Sequence, residues 1–412
     1  MMRAPQPANY KEMKRCLACD TDAMLPYLDL GEQPLANSFH TGDGSQDCFP
    51  LAVQVCPACF HSQLSVAVNP EQLYRHYLYV SGTTRTLKDY FAWFVHDVET
   101  TRPGQALSVL DIASNDGSLL AQFKQRGHSV QGVDPAENLR PLSEEKGIPT
   151  EVAYWDAQTA SKLDRKFDVI VAMNVLGHIP APFEFLQACR LALKADGLLY
   201  LQTSQADIFR NGEFDTIYHE HHSFFTQRSF RTLAERAGLL VINSRKVPIH
   251  GNSYLWTLKC PPADVLDSVH QLELEEQQSG YYDLATYRHF GRQAHETATR
   301  VRSCIEEMRR QGKAIVGYGA AAKGNTFLNF AQLPLDLVVD DNPLKEGLLT
   351  PGMNIPVYLP EKLTGVQEDL AIVILAWNFY DEILQRIRAQ RPGKQDVFIR
   401  YFPGFSVCAA ES

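Results

Sequence analysis

The sequence has little that would tie it to a membrane, to nucleic acid or to an export pathway. No apolar run approaches the ~18–20 residues that cross a bilayer, and the N-terminus lacks the apolar core of a signal peptide. The net charge of −9 at pH 7 argues against nonspecific binding to nucleic acid or anionic lipid. We therefore expect a cytoplasmic protein with no nucleic-acid partner, no membrane partner and no obligate protein partner.

What is present fits a soluble globular protein of several domains. Hydrophobic residues make up 45% and charged residues 21% of the chain, which are ordinary shares. A length of 412 residues is enough for two or three domains with sizeable cores. The domain limits then have to come from the motifs along the chain.

The nine cysteines favour a metal site over disulfides. Five of them are scattered, as free thiols in a reducing compartment would be. The other four form two Cys-x-x-Cys pairs, and four thiolates at this spacing can surround zinc in a tetrahedron. The predicted ligands of this structural zinc are Cys16, Cys19, Cys56 and Cys59. The alternative ligands are His40, His61 and Cys48, and a redox role for one pair is a further alternative.

Strands that alternate with helices follow from about residue 100 onward. The segments 108–113, 129–133, 167–174 and 197–203 predict strands, and the segment 86–100 predicts a preceding amphipathic helix. This alternation is typical of a parallel, doubly wound α/β sheet. Ligands of such sheets bind at the carboxyl ends of the strands.

The turn after the first of these strands indicates the cofactor. It lacks the G-x-G-x-x-G pattern that seats a pyrophosphate, and Asp116 would repel phosphate. The second strand ends in Asp134, where a carboxylate can bind a ribose diol. A cationic sulfonium nucleoside without phosphate tolerates these carboxylates, which favours S-adenosylmethionine over NAD. The predicted cofactor-binding residues are Asp111, Ala113, Asn115, Asp116, Gly117, Asp134 and Asn174.

A dense cluster of proton-transfer groups lies beyond the fourth strand. The five positions from Tyr218 to His222 hold a phenol, a carboxylate and three imidazoles, with phenylalanines on both sides. Imidazoles titrate near neutral pH, and burial tunes such groups for acid–base chemistry. A histidine-rich surface loop and a metal site are the alternatives. The topology predicts this cluster at the same sheet edge as the cofactor turn.

A second, smaller α/β unit follows a long predicted helix over residues 280–311. The strand and glycine turn at 314–326 contain Lys323 at a helix start, an arrangement that suits a diphosphate. A purely structural repeat is the alternative, because glycine turns also recur for packing reasons. A tyrosine-rich segment at 73–84 could line a polar pocket or could only pack two domains together.

The order of these motifs resembles one family. The two Cys-x-x-Cys pairs, the stretch 111–117, the Tyr-His-Glu-His motif at 218–221, the segment 250–253 and the glycine turn at 317–325 appear in sequence, followed by Pro-Gly-Met-Asn-Ile-Pro at 351–356. Together they resemble the three-domain sugar C-methyltransferases, which act on nucleotide-linked 4-keto-deoxysugars and include C-3′-methyltransferases. The resemblance runs from Cys16 to about Phe405.

The resemblance implies an α/β protein in three parts. These are a zinc-binding lobe (1–85), a central doubly wound Rossmann-like S-adenosylmethionine methyltransferase domain (86–278), and a linking helix with a smaller Rossmann-like lobe (279–412) that helps hold the nucleotide sugar. The implied catalytic residues are His221, Tyr218, Glu220, His178, Tyr77 and Tyr79. The implied substrate-binding residues are Tyr74, Ser81, His222, Asn252, Lys323 and Asn325. The chain departs from the family at Ala113, where glycine is usual, at His222, and at Asn252.

The implied reaction is methylation of a sugar carbon beside a ketone. A 4-keto group acidifies C3, His221 with help from Tyr218 or Glu220 removes the C3 proton, and the enolate carbon takes the methyl group. The expected substrate is a nucleotide-diphosphate keto sugar, with thymidine diphosphate as the expected carrier. Alternatives are a sugar O-methyltransferase, a non-catalytic zinc-stabilised protein that binds nucleotide sugars, and a metal-dependent hydrolase.

Overall fold

The fold is described by a computed structural model over residues 9–42, 46–74, 85–249 and 251–409. The strands are β1 (Tyr10–Glu12), β2 (Leu25–Pro34), β3 (Cys48–Val55), β4 (Ser62–Leu64), β5 (Val66–Val68), β6 (Ser108–Ile112), β7 (Ser129–Val133), β8 (Thr150–Glu151), β9 (Phe167–Met173), β10 (Leu193–Ser204), β11 (Ser223–Phe224), β12 (Leu240–Val247), β13 (Ser253–Lys259), β14 (Ala314–Tyr318), β15 (Leu337–Val339), β16 (Val357–Tyr358), β17 (Leu370–Ile374), β18 (Val397–Arg400) and β19 (Ser406–Ala409). The α-helices are α1 (Pro70–Tyr74), α2 (Arg85–Thr101), α3 (Ser118–Gln125), α4 (Arg140–Glu145), α5 (Ala157–Lys162), α6 (Pro182–Ala192), α7 (Ile208–Asn211), α8 (Gln227–Arg236), α9 (Asp267–Gln278), α10 (Leu284–Arg310), α11 (Ala322–Ala331) and α12 (Tyr380–Gln390). Across these described ranges, every helix is too short or too polar to span a membrane.

The N-terminal part is a small antiparallel sheet beside the cysteine pairs. Its strand order is β11-β4-β3-β2, and a separate two-stranded ladder joins β1 to β5. Strand β11 comes from far along the chain, directly after residues 218–222, which we call the histidine cluster. Ser223 lies opposite Gln63, and Phe224 lies opposite Ser62. The histidine cluster is therefore anchored to the zinc lobe through a shared sheet.

The central sheet confirms the predicted doubly wound α/β domain. Its order is β12-β13-β10-β9-β6-β7-β8, with parallel pairing from β10 to β8. Strand β13 is antiparallel to both β10 and β12. Apolar side chains cover both faces: Phe94 and Phe123 pack with Tyr200 on one, and Phe185 and Phe230 belong to the core on the other. Because β6, β7, β9 and β10 are parallel, their carboxyl ends meet at one edge.

The C-terminal lobe is a second mostly parallel sheet in the order β16-β15-β14-β17-β18-β19. Only the last pair, β18 with β19, is antiparallel. The glycine turn after β14 is required by packing, since Gly319 has φ +100° and an added Cβ would lie 2.5 Å from Cβ of Ala376. Close approach of backbone segments thus explains this glycine without a ligand.

One hydrophobic core joins all three parts of the molecule. It contains Leu28 and Val53 from the zinc lobe, Phe214 from the segment before the histidine cluster, and Phe290 and Tyr401 from the C-terminal part. The long helix α10 confirms the predicted linking helix and crosses β2 closely. At Gly291 an added Cβ would lie 2.2 Å from the carbonyl oxygen of Tyr27. The segment that carries the histidine cluster therefore passes through the junction of the three lobes.

Candidate active site

The four predicted zinc ligands come together. Their sulfur atoms all lie within 4.8 Å of one another. The distances are 3.6 Å between the sulfurs of Cys16 and Cys59 and 3.5 Å between those of Cys19 and Cys56. Tetrahedral zinc with bonds of about 2.3 Å needs sulfurs roughly 3.8 Å apart, so this cluster fits zinc. His40, His61 and Cys48 do not belong to any group of potential metal ligands found in the described ranges.

A buried glutamine connects the cysteine turns to the strand beside the histidine cluster. The side chain of Gln63 accepts a hydrogen bond of 2.8 Å from the backbone N–H of Leu17 and donates one of 2.9 Å to the carbonyl of Arg15. Gln63 lies in β4, opposite Ser223 of β11. The backbone N–H of Leu64 also donates to the carbonyl of His222 at 3.1 Å. The metal site therefore supports the backbone of the cluster.

A cavity of about 430 Å³ lies at the carboxyl ends of the central strands. Its lining includes residues of the predicted cofactor turn, aromatic side chains and a predicted catalytic histidine: Ala113, Asn115, Asp134, Tyr90, Trp155, Asn174, His178 and Gln202. The structure therefore has a cavity at the sheet edge where the sequence predicts ligand binding. Tyr90, Trp155 and Gln202 were not identified from the sequence.

The turn after β6 is shaped by left-handed backbone. Ala113 has φ +60° and Asn115 has φ +52°, a region that favours glycine because of steric crowding at Cβ. This explains why glycine is usual at the Ala113 position. The carboxylate of Asp134 accepts hydrogen bonds of 2.8 Å from the backbone N–H groups of Asn115 and Ala136. Asp134 is thereby held at the cavity wall with lone pairs left for a diol.

The other predicted cofactor residues lie around this turn. Asp111 is buried, and burial together with the nearby charges of Asp134 and Asp116 raises its pKa well above the usual value. The carboxylate of Asp116 pairs with Lys146 at 3.0 Å and accepts a hydrogen bond of 2.8 Å from the hydroxyl of Ser118.

Asn174 reaches the cavity as part of a polar chain. Its side-chain oxygen accepts a hydrogen bond of 3.1 Å from the amide of Gln202, and the hydroxyl of Tyr90 donates to the oxygen of that amide. Asn174 has φ +55°, so the chain also turns sharply where it meets the cavity. That the predicted residues bind the cofactor stays a prediction for all seven: Asp111, Ala113, Asn115, Asp116, Gly117, Asp134 and Asn174.

The ring of His221 is fixed from both sides. Its Nδ1 atom lies 2.7 Å from the carbonyl oxygen of Thr216, which can only accept, so Nδ1 carries the hydrogen. The side-chain nitrogen of Gln205 lies 2.6 Å from the same Nδ1. Two N–H groups cannot bond to each other, so with the hydrogen on Nδ1 the Gln205 amide has to be turned round to place its oxygen there. The other nitrogen, Nε2, therefore presents its lone pair, and it faces the hydroxyl of Tyr218 at 2.8 Å.

Burial keeps the imidazoles of the cluster neutral. It lowers the pKa of His221 well below the usual value, and electrostatic interactions with His178 and Lys323 act in the same direction. Burial also lowers the pKa of His178 to about 4 and that of His222 to about 3. Neutral imidazole is the form that accepts a proton. At neutral pH these imidazoles are therefore in the form that can accept a proton.

The remaining residues of the histidine cluster have different environments. The side chain of Glu220 accepts a hydrogen bond of 2.7 Å from the amide of Asn37 in the zinc lobe. His219 points away, with Nε2 3.3 Å from the carbonyl oxygen of Phe49. His222 is buried, and neither of its ring nitrogens has a hydrogen-bond partner within the described part of the chain.

The predicted substrate-binding residues are only partly gathered around the cluster. Lys323 stacks over the ring of Trp377 at 4.6 Å, and its charge reaches His221. Asn325 is buried and donates to the carbonyl of Ala36 at 2.8 Å, and Asn252 donates to Asp207 at 2.7 Å. The side chain of Tyr74 and the residues Tyr77, Tyr79 and Ser81 lie outside the described residues.

A buried carboxylate that the sequence analysis missed joins the cluster to the C-terminal lobe. Asp215 accepts hydrogen bonds from the indole of Trp377 at 2.8 Å and from the hydroxyl of Tyr401 at 3.1 Å. Burial raises its pKa to about 6, and the charge of Lys323 opposes this shift. Its position two residues before the motif was visible in the sequence, but its partners lie more than 150 residues away along the chain.

Three family models cover most of the chain in the same order as the three lobes. A zinc binding domain matches residues 16–74, a methyltransferase domain matches residues 75–244, and a C-methyltransferase C-terminal domain matches residues 248–403. The order zinc lobe, methyltransferase domain, C-terminal lobe is the order that the sequence motifs predict.

Individual relatives agree with this order. The C-methyltransferase NovU of Streptomyces niveus is 30% identical over 91% of this chain and 92% of its own length. A ubiquinone biosynthesis O-methyltransferase of Dinoroseobacter shibae is 25% identical but covers only 40% of this chain and 73% of its own length. Among solved structures, the PH0226 protein of Pyrococcus horikoshii matches at a TM-score of 0.38 with 16% identity, over 47% of this chain and all of that one. A TM-score this low supports no inference about function.

Proposed function

Because the chain belongs to the three-domain C-methyltransferase family, we propose that it methylates C3 of a nucleotide-linked 4-keto-deoxysugar. The family establishes an S-adenosylmethionine-dependent C-methyltransferase with a zinc-binding lobe. The sugar, the carbon and the base go beyond that. Thymidine diphosphate is the carrier that the proposal expects.

The observation that carries the proposal is the contact between the cavity and the base cluster. His178 lines the cavity, and its ring centroid lies 4.7 Å from that of His221. A reactant in the cavity and a proton acceptor in the cluster are therefore separated by one imidazole. This proximity is what a reaction between two bound molecules needs.

A neutral, oriented imidazole fits the chemistry of carbon methylation. When bound, S-adenosylmethionine supplies an electrophilic methyl group for a carbon nucleophile. A sugar C–H group becomes acidic enough for a side-chain base only beside a ketone, because the electron pair of the broken C–H bond then forms an enolate. The lone pair on Nε2 of His221 receives the proton, either directly or through the hydroxyl of Tyr218.

The groups around His221 fit the enolate that would form. Its negative charge develops on the ketone oxygen, where a hydrogen-bond donor or a nearby cation stabilises it. His178 lies 4.7 Å from His221 between ring centroids, and the positive charge of Lys323 acts on His221, so in our proposal both are available to such an oxygen. Tyr77 and Tyr79 keep their proposed role in steering the sugar.

The comparisons and the structure bear on all three alternatives. Membership of a C-methyltransferase family favours carbon over oxygen as the acceptor, although the same base could deprotonate a hydroxyl. The family also makes a purely non-catalytic binding protein a poor description. The described cysteine cluster accounts for the metal-binding side chains without placing a metal among the histidines, which disfavours the hydrolase.

The test is a screen of thymidine- and guanosine-diphosphate 4-keto sugars with S-adenosylmethionine. Mass spectrometry reports the gain of one methylene unit, and NMR of the product separates C–CH3 from O–CH3. We expect a C-methylated thymidine-diphosphate sugar. An O-methyl product, or no product from any keto sugar, would contradict the proposal.

A further inference from the structure

A loop of the zinc lobe is clamped between the other two lobes. This loop, residues 35–40, connects to the C-terminal lobe at both ends: the amide of Asn325 donates to the carbonyl of Ala36 at 2.8 Å, and His40 pairs with Leu349 in a β-bridge. Gln46 adds a third contact, since it donates to the carbonyl of Ser38 at 2.6 Å. The same Gln46 side chain accepts from the backbone N–H of Gly352 at 2.7 Å. The backbone of this loop is therefore fixed.

Among the hydrogen bonds of the described residues, Asn37 is the one side chain of this loop that contacts the Tyr-His-Glu-His motif. Its amide nitrogen lies 2.7 Å from Oε1 of Glu220, across 183 positions of sequence. Asn37 is exposed, whereas Glu220 is 8% exposed. A donor brought in by another lobe thus serves a buried carboxylate of the catalytic segment.

The contact restricts the direction of the Glu220 carboxylate and opposes the effect of burial on its pKa. Burial raises the pKa of Glu220, and the hydrogen bond from Asn37 opposes this rise. A hydrogen bond to a charged group favours the charged form and restricts its rotation. The only side-chain donor to Glu220 in the described part of the chain is Asn37.

We propose that Asn37 is a positioning residue for the methyl-transfer reaction, which orients the carboxylate of Glu220, the residue before His221 in the motif. The inference rests on the proposed function, because Glu220 matters to the reaction only if the Tyr-His-Glu-His motif carries it. It assigns the zinc lobe a part in the active site beyond folding. It also gives Asn325 a role: it holds the backbone next to Asn37.

The chain offers a matched control for this contact. The amide of Asn211 donates to Oε1 of Glu213, also at 2.7 Å, and Glu213 is buried to a similar extent, at 7% exposed. The variants Asn37→Ala and Asn211→Ala therefore remove the same hydrogen bond from two buried glutamates. Only the first of these glutamates belongs to the motif. Because Asn37 is exposed, we expect its variant to fold.

The experiment measures kcat with thymidine-diphosphate 4-keto-6-deoxyglucose and the affinity for S-adenosylmethionine by calorimetry. Loss of one hydrogen bond to a charged group should lower kcat about tenfold in Asn37→Ala, with the affinity for S-adenosylmethionine unchanged. Asn211→Ala should keep kcat within about twofold of the unsubstituted protein. Unchanged kcat in Asn37→Ala, or an equal loss in both variants, overturns the inference.

A second measurement separates positioning from general loosening of the fold. If Asn37 acts through Glu220, the Asn37→Ala change should cost nothing further in a Glu220→Gln background. Additive losses would overturn the inference. The proposed function itself is tested with the unsubstituted protein: if the proposal is wrong, that protein methylates none of the keto sugars. The two failures are therefore distinguishable.

Discussion

The hydroxyl of Tyr218 lies 2.8 Å from Nε2 of His221, and the two ring centroids are 4.0 Å apart. Because Thr216 accepts the hydrogen on Nδ1, this hydroxyl meets the lone pair of the imidazole. The pair can pass a proton in one step from the phenol side to the ring. Tyr218 is thus placed to assist the proposed base directly, and Glu220 is held by Asn37 of the zinc lobe.

Replacing Tyr218 with phenylalanine tests this pair. The Tyr218→Phe variant keeps the ring but removes the hydroxyl that faces Nε2, and we expect kcat to fall by ~10²-fold, at the low end of a general acid–base contribution. The measurement is steady-state methyl transfer to a thymidine-diphosphate 4-keto sugar. Tyr27→Phe is the control, since it removes a buried hydroxyl that contacts Ser62 at 2.6 Å in the zinc lobe. Equal activity of the Tyr218 variant and this control would contradict the assignment.

The pH dependence of kcat follows from the depressed pKa of His221. A base must be neutral to accept a proton, so activity falls as the pH drops through its pKa, and here that acid limb lies below the ordinary value of about 6.5. Burial is the largest cause, and electrostatic interactions with His178, Lys323 and His222 also lower the pKa. Removing a neighbouring positive charge should therefore raise it.

The Lys323→Met variant tests this sign. The acid limb of kcat, measured at saturating sugar, should move to higher pH because the cation that opposes protonation of His221 is gone. Lys345→Met is the matched control: this lysine pairs with Asp340 in the same lobe at 3.3 Å and does not contribute to the pKa of His221. A limb that stays in place, or that moves to lower pH, would show that Lys323 does not act on the base.

Zinc removal should destabilise the segment that carries the histidine cluster as well as the zinc lobe. The Cys56→Ser variant removes a metal ligand. The resulting loss of stability should extend to Ser223 through Gln63 and the β4–β11 pairing. We expect lower metal content, a lower melting temperature, and faster amide hydrogen exchange at residues 223 and 224. Cys48→Ser is the control, because Cys48 is exposed and outside the cysteine cluster. Loss of zinc with unchanged exchange in β11 would contradict this coupling.

Much of the fold could be predicted because its signals are local. The strands β6, β7 and β9, the helix α10 and the four zinc ligands follow from hydrophobic patterns and cysteine spacing. The short edge strand β8 has two residues, too few for a pattern. Strand β11 is equally short and forms only because the zinc lobe offers it a partner.

The same distinction holds for the site. Tyr218 and His221 are three residues apart, so a local motif contains their contact. Asn37 and Glu220 are 183 residues apart, and no local pattern in either segment indicates that the two side chains make contact. The sequence analysis also missed Gln205. Its distinguishing feature is a φ of +74°, which is unusual for a residue other than glycine but is visible only in the structure.

The most direct test of the whole account measures proton removal alone. In deuterated water, with S-adenosylhomocysteine in place of the methyl donor, the unsubstituted protein should introduce deuterium at C3 of the thymidine-diphosphate 4-keto sugar. The His221→Asn variant should bind S-adenosylhomocysteine normally and introduce deuterium only at the rate of the uncatalysed reaction. Exchange at the unsubstituted rate in His221→Asn would contradict the claim that this imidazole is the base.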